Sequence, residues 1–493
     1  MPHHRTIRSV VIPALLAGFL SLPPVGLVWS GVPAASPESD AAALAISRTL
    51  AEMERAVLAA DGKAYLACVD PGEAQFVAEQ TYLAKDLARR TPQQIEYTIT
   101  GPIVLGDGSA QAPMTIHWTL PPVGQANNEN AKPVERSIDL TARFVERRVN
   151  GVPRWLYAGE VFGRLDAPGV IVYFEPGLDE VATRTLEAFS DIREPVLVDF
   201  GLLNEGETVE LSAHAISTAD STPLPQRTQT IKLYRTMAAL QFSISYAYTD
   251  SLSGWNEPGE PIKALANPRA SKSTLRPLLA HEFGHVGEAE LATSLDALPW
   301  WVIEGAADLV AEPFGKPQGK PAPEIDGVDR AVIRWTDRGE IAPWSEMADF
   351  YKTPAKFRRN VYTQGHHMMR FITRRWGREK RNAWIGVAGK EAARLTALAR
   401  SDTGNETPIE SRTTLAFDAV SVAKGLDVAS REVLGVEDFA AVDAAWRASI
   451  QDLIESSKSK RGAEAEGKTG DTKSEDESAQ SGKEEINPDP AKP

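Results

Sequence analysis

The pentapeptide His281-Glu282-Phe283-Gly284-His285 sets two imidazoles four residues apart, with a carboxylate directly after the first. On a helix that spacing puts both rings on one face, where they can share a metal ion. Glu282 then lies about 100° around the axis from His281, beside the ion rather than on it, where it can reach a water that the ion polarises. The pattern points to metal-assisted hydrolysis. The plainer alternative is a helix with two solvated histidines, and the next segment weighs against it. Glu304 follows His285 after a gap of eighteen residues, within Leu298-Pro299-Trp300-Trp301-Val302-Ile303-Glu304-Gly305-Ala306-Ala307-Asp308. Pro299 is suited to start a second helix. Gly305, Ala306 and Ala307 are small enough to let that helix pack closely on the first and bring Glu304 to the metal as a third ligand. Three protein ligands on a tetrahedral zinc ion leave one position for water.

The element that must carry the two histidines is a helix, for which Thr274 is a suitable N-cap. Pro277 is expected in its first turn, with Leu279, Phe283 and Val286 as the apolar stripe. Upstream, Ile46, Leu50, Met53 and Val57 recur as one face of an amphipathic helix, and a second helix is expected over about 73–89. The period then changes to two. Ile95, Tyr97 and Ile99, then Met114, Ile116, Trp118 and Leu120, then Ile138, Leu140, Ala142 and Phe144 alternate with other residues as strands do. Asn150-Gly151 marks a hairpin, with Trp155 to Phe162 as the returning strand. Near Asp166-Ala167-Pro168-Gly169 the chain turns into a new strand, Val170 to Phe174, followed by a helix over about 178–192.

The metal pattern resembles the gluzincin clan of zinc peptidases: H-E-x-x-H, a gap of eighteen residues, then Glu-Gly with Pro and Trp just ahead. More narrowly it resembles the peptidase MA-like domains of exported bacterial proteins, relatives of thermolysin and the zinc aminopeptidases. The likeness runs over roughly 170–454 and takes in Asn360-Val361-Tyr362-Thr363-Gln364-Gly365, Gly435-Val436-Glu437-Asp438-Phe439 and Trp446. It implies zinc ligands at His281, His285 and Glu304 and a general base at Glu282. It also implies that Asp308 accepts a hydrogen bond from a ligand histidine. Tyr362 would donate a hydrogen bond to the developing oxyanion. His366, one turn later on the same face, could serve instead or pack structurally, and His366 and His367 cannot both face the site. The Gly-x-Met-Glu-Asn motif with which the aminopeptidase branch binds a free amine does not occur before His281, which leaves endopeptidase action or a narrow substrate open.

The chain of 493 residues is long enough for two domains, and 42% hydrophobic residues supply a sizeable core. A net charge of -14 argues against nucleic acid, whose phosphates require clustered Lys and Arg. Arg5 and Arg8, the apolar run from Val10 to Val28 and the small residues through Ala35 read as an export signal over residues 1–34; an uncleaved anchor is the alternative. The expected location is extracytoplasmic, with no stable membrane span once the signal is removed. Cys68 is the sole cysteine, so no internal disulfide can form.

The expected class is α+β. A first domain over 39–165 places helices on one face of an antiparallel sheet, and its order resembles the cone of nuclear transport factor 2 and the polyketide cyclases. His117 and Glu160 are the residues from which a pocket reading of that domain would start. A mostly helical zincin-type peptidase domain with a small sheet follows over 168–455. A charged tail over 456–493, poor in apolar residues, is expected to be disordered. The leading expectation is zinc-dependent hydrolysis of a peptide or protein substrate. The alternatives are an envelope interaction protein with a structural zinc site, and small-molecule binding by the first domain.

Overall fold

The computed structural model describes residues 37–122, 132–207, 209, 211, 222–248, 251–316, 325–402 and 417–469. The expected export signal and residues 470–493 of the tail lie outside them. The class is α+β.

Three helices come first: α1 (Pro37–Leu58), α2 (Gly62–Leu66) and α3 (Ala74–Asp86). Ile46, Leu50, Met53 and Val57 are all buried on one face of α1, as their spacing requires. They cover a curled antiparallel sheet of β1 (Gln94–Ile99), β2 (Val104–Gly106), β3 (Ser109–Leu120), β4 (Val134–Val149) and β5 (Val152–Glu160). β3 pairs along its whole length with β4, and both β1 and β2 lie on its other edge. Asn150 and Gly151, with φ of 52° and 81°, make the two-residue turn between β4 and β5. Ala112, Met114, Ile116 and Trp118 point into the core, so His117 faces outward and is exposed. Glu160 stands opposite Ala142, which is itself opposite Ala112, and therefore belongs to the inner face. His117 and Glu160 thus lie on opposite faces and form no common pocket.

The second sheet starts earlier than the sequence indicates. Residues Gly163–Ala167 form β6, which pairs with β7 (Val170–Phe174), so the change of sheet falls at Phe162 and the turn at Asp166–Gly169 is a hairpin within the new sheet. Helix α4 (Asp179–Asp199) leads toward β8 (Gln229–Tyr234), which is parallel to β7. After α5 (Met237–Ile244) come β9 (Gly254–Trp255) and β10 (Ile262–Leu265). The order is β6-β7-β8-β10-β9, with β9 as a short antiparallel edge. α5 bridges the two sheets, for its Leu240 and Ile244 cluster with Tyr234 of β8 and Leu265 of β10. Phe242, and Tyr246 just beyond the helix, are buried in the core of the first sheet.

Helix α6 (Lys272–Ala292) carries the two histidines of the pentapeptide. Its N-cap is Ser271, whose side chain accepts from the Thr274 amide, so Thr274 lies inside the first turn rather than capping it. Pro277 accordingly falls in the second turn. Leu275, Leu279 and Phe283 are buried, and the Phe283 ring lies 5.0 Å from that of Phe189 on α4. Burial of each such side chain contributes about 1.5–3 kcal/mol, enough to seat α6 against α4 despite the lost proline donor.

Then follow α7 (Trp300–Gly315), α8 (Gly327–Arg338), α9 (Arg358–Trp376), α10 (Arg378–Asp402), α11 (Ala419–Ala429) and α12 (Phe439–Thr469). α12 carries the chain as far as Thr469, so residues 456–469, expected to be disordered, are helical. Eight of these fourteen residues are Lys, Arg, Glu or Ala, which have high helix propensity. No helix among the described residues is long and apolar enough to cross a membrane.

Candidate metal centre

Two close helix crossings set the site. Gly284 of α6 faces Ala307 of α7, where a Cβ on Gly284 would come 3.1 Å from the Ala307 Cα. Gly305, expected to ease the same contact, instead faces α9: a Cβ there would come 2.6 Å from the Gly365 carbonyl oxygen and 2.9 Å from the His366 amide. α7 is thus held between α6 and α9, and Glu304 is carried to the histidines.

His281 Nε2 lies 3.2 Å and His285 Nε2 3.8 Å from the same oxygen, Glu304 Oε2. The ligating atoms of the three residues all fall within 4.8 Å of one another, and among the described residues they are the one such group of three. Two ligands at about 2.0–2.1 Å from a tetrahedral zinc would stand about 3.3 Å apart, close to these separations. Each imidazole is held from behind. His281 Nδ1 is 2.9 Å from Asp308 Oδ1, and His285 Nδ1 is 3.2 Å from Glu288 Oε2. With Nδ1–H donated to a carboxylate, the Nε2 of each ring is left on the side of Glu304, where a proton or a metal ion can sit between them. Trp300 donates from Nε1 to Glu304 Oε1 at 2.8 Å, while Oε2 is buried with no hydrogen-bond donor. Two imidazole nitrogens and one such carboxylate oxygen are a donor set suited to zinc.

The electrostatics favour a cation. Burial opposes charge on His281, yet Asp308 and Glu304 hold its pKa well above the ordinary histidine value. Burial likewise works against Glu304, but His281 and His285 keep its carboxyl below the usual range. Burial raises Glu282, and lifts Glu288 to about 7 against the pull of His285. The Glu282 carboxylate lies against β9, since a Cβ on Gly254 would come 2.6 Å from Glu282 Cδ. Tyr362, in the first turns of α9, is 37% exposed; its ring stacks 6.5 Å from that of His281 and stands edge-on 5.9 Å from that of Trp300. Burial, then the charges of Glu304 and Glu282, push its phenol far above the ordinary range, so it keeps the proton it would donate.

No protein-family model and no curated protein matches the chain.

The structure brings together His281, Glu282, His285, Glu304, Asp308 and Tyr362. It does not bring His366. Although His366 is one turn from Tyr362, its Nε2 lies 2.9 Å from Glu312 Oε2, which also accepts from Arg370 at 2.9 Å. Arg370 continues to Asp326 and Asp329 at the start of α8. His367 accepts from Trp446 Nε1 at 2.8 Å and is equally buried, so both histidines hold helices together. Two residues of the site escaped sequence reasoning. Glu288 had a signal, its place three residues after His285 on the same helix face, whereas Gly254 had none.

Proposed function

We propose that the chain hydrolyses peptide bonds with a zinc ion held by His281, His285 and Glu304, as its resemblance to the gluzincin peptidases implies. The observation that carries the reading is the convergence of two Nε2 atoms on one carboxylate oxygen while each Nδ1 is occupied by a separate acid. A zinc ion held there would supply Lewis acidity, to activate a water as nucleophile and to polarise the scissile carbonyl. Glu282, unused as a ligand, takes the proton and passes it to the leaving amine. Tyr362 donates its phenolic proton as a hydrogen bond to the oxygen on which negative charge develops. Asp308 and Glu288 keep the imidazoles in the tautomer that frees Nε2. A carboxylate base beside the ligands serves no purpose in a structural zinc site, which ordinarily closes all four positions with protein. The substrate is a peptide or protein, and the N-terminal signal reading puts the encounter outside the cytoplasm.

The test is metal analysis together with digestion of a mixed peptide library by the full chain. One zinc per chain and zinc-dependent cleavage are expected, both lost in His285→Ala. A zinc-loaded wild type that cleaves nothing in the library would refute the proposal. Separately, Asp308→Ala should weaken zinc binding about 10–100-fold, read by competition with a chromophoric chelator. Unchanged affinity would remove Asp308 from the site's support.

A further inference from the structure

The segment that walls the candidate site is fastened to the other sheet. Phe242 and Tyr246 enter the first core, where their rings lie 5.6 Å and 6.0 Å from that of Trp118. Trp118 Nε1 donates to the Tyr246 carbonyl at 2.9 Å, and the Tyr246 hydroxyl is hydrogen-bonded to that of Tyr97. Next along the chain, the Ala247 carbonyl accepts from Arg90 at 3.3 Å. Beyond β9, the Pro258 carbonyl accepts from the Tyr82 hydroxyl at 3.2 Å. Between these two fastenings stand Gly254, whose backbone abuts Glu282, and Trp255, whose ring contacts those of Tyr248 and Phe350. β9 itself is only two residues long and pairs on one side alone, so its own ladder gives it little rigidity.

We infer that the first sheet and its helices are a clasp for the metal centre: Tyr82 on α3, Tyr97 on β1 and Trp118 on β3 hold the chain at Tyr246 and at Pro258, on either side of β9, so that Gly254 keeps Glu282 in place. The role of Glu282 as base rests on the function proposed above; the clasp itself is a statement about position. Tyr246 and Tyr82 are positioning residues. The first sheet's interior is filled at this point by the chain's own Phe242 and Tyr246, which accounts for those two residues without any small molecule. Removing the first sheet would strip cover from both rings.

The experiment uses the full chain with Tyr82→Phe and Tyr246→Phe combined, which removes two hydroxyls and keeps both rings packed. Amide exchange over residues 253–257 should quicken about tenfold or more, while exchange over 272–292 stays as in wild type. Zinc should remain bound, and peptide hydrolysis should fall about tenfold in kcat with KM little changed, because the group losing support is the base and not a binding contact. Unchanged exchange over 253–257, or equal quickening over 272–292, would overturn the clasp; so would a loss carried by KM or by zinc. Tyr246→Ala with Tyr82 intact should enlarge the exchange effect. Should that variant fail to fold, the double hydroxyl variant still decides. If wild type cleaves no peptide, the peptidase reading fails while the exchange measurement still judges the clasp.

Discussion

Glu282→Gln is expected to bind zinc as wild type does and to hydrolyse a peptide substrate about 10³-fold more slowly. The substitution keeps the shape of the side chain, so its contact with the Gly254 backbone survives. His281, His285 and Glu304 are untouched, as are the Asp308 and Glu288 contacts that orient the rings. What disappears is the only carboxylate of the cluster that neither faces an imidazole nitrogen as a ligand nor braces one from behind. An amide cannot accept and return a proton at neutral pH, so the chemical step loses its base while the metal site stays intact. Zinc measured after desalting and progress curves on one peptide decide the matter. Undiminished hydrolysis with zinc retained would remove Glu282 as the base, and loss of zinc would mean that it acts as a ligand.

The second large effect concerns stability. Gly305→Ala should destabilise the chain by about 3 kcal/mol, because the added methyl meets atoms that cannot rotate aside. Its neighbours would be the Gly365 carbonyl oxygen at 2.6 Å and the His366 amide at 2.9 Å, both backbone. α7 and α9 must separate, and Glu304, the residue before Gly305, moves with α7 away from the histidines. Zinc affinity should fall together with the urea midpoint. Gly327→Ala is the control: a Cβ there meets nothing within 4 Å, and its effect should stay within about 0.5 kcal/mol. Equal behaviour of the two variants would show that the α7–α9 crossing tolerates separation.

Much of the candidate site was legible in the sequence, because its residues lie close together along two helices. His281, Glu282 and His285 share one helix and Glu304 lies on another, so periodicity and spacing sufficed to propose that they meet, whereas Asp308 entered only through what the resemblance implies. The hairpin at Asn150-Gly151 and the stripe of α1 were legible for the same reason. What periodicity does not encode is which distant element meets a face. His366 and Tyr362 do share a side of α9, but the partner waiting for His366 is Glu312, 54 residues away in sequence. The same gap hid Gly254, whose importance lies in a backbone contact across the fold, and the burial of Phe242 and Tyr246 in the first core. Ser271 and Thr274 are both good caps, and only the backbone geometry chose between them. Residues 456–469 went the other way, since they lack large apolar side chains yet more than half of them, the Lys, Arg, Glu and Ala, have high helix propensity.

Glu304, Asp308 and Glu312 stand four residues apart on one side of α7, the first two serving His281 and the third serving His366 and Arg370. A single residue inserted between Glu304 and Glu312 would rotate everything beyond it by about 100°. Either the contact of Glu304 with the histidines or the lock on α9 could then be in phase, but not both. The length of this stretch is therefore fixed twice over, once by the histidine cluster on α6 and once by the lock on α9, and point substitutions within it should be far easier to accommodate than any insertion or deletion.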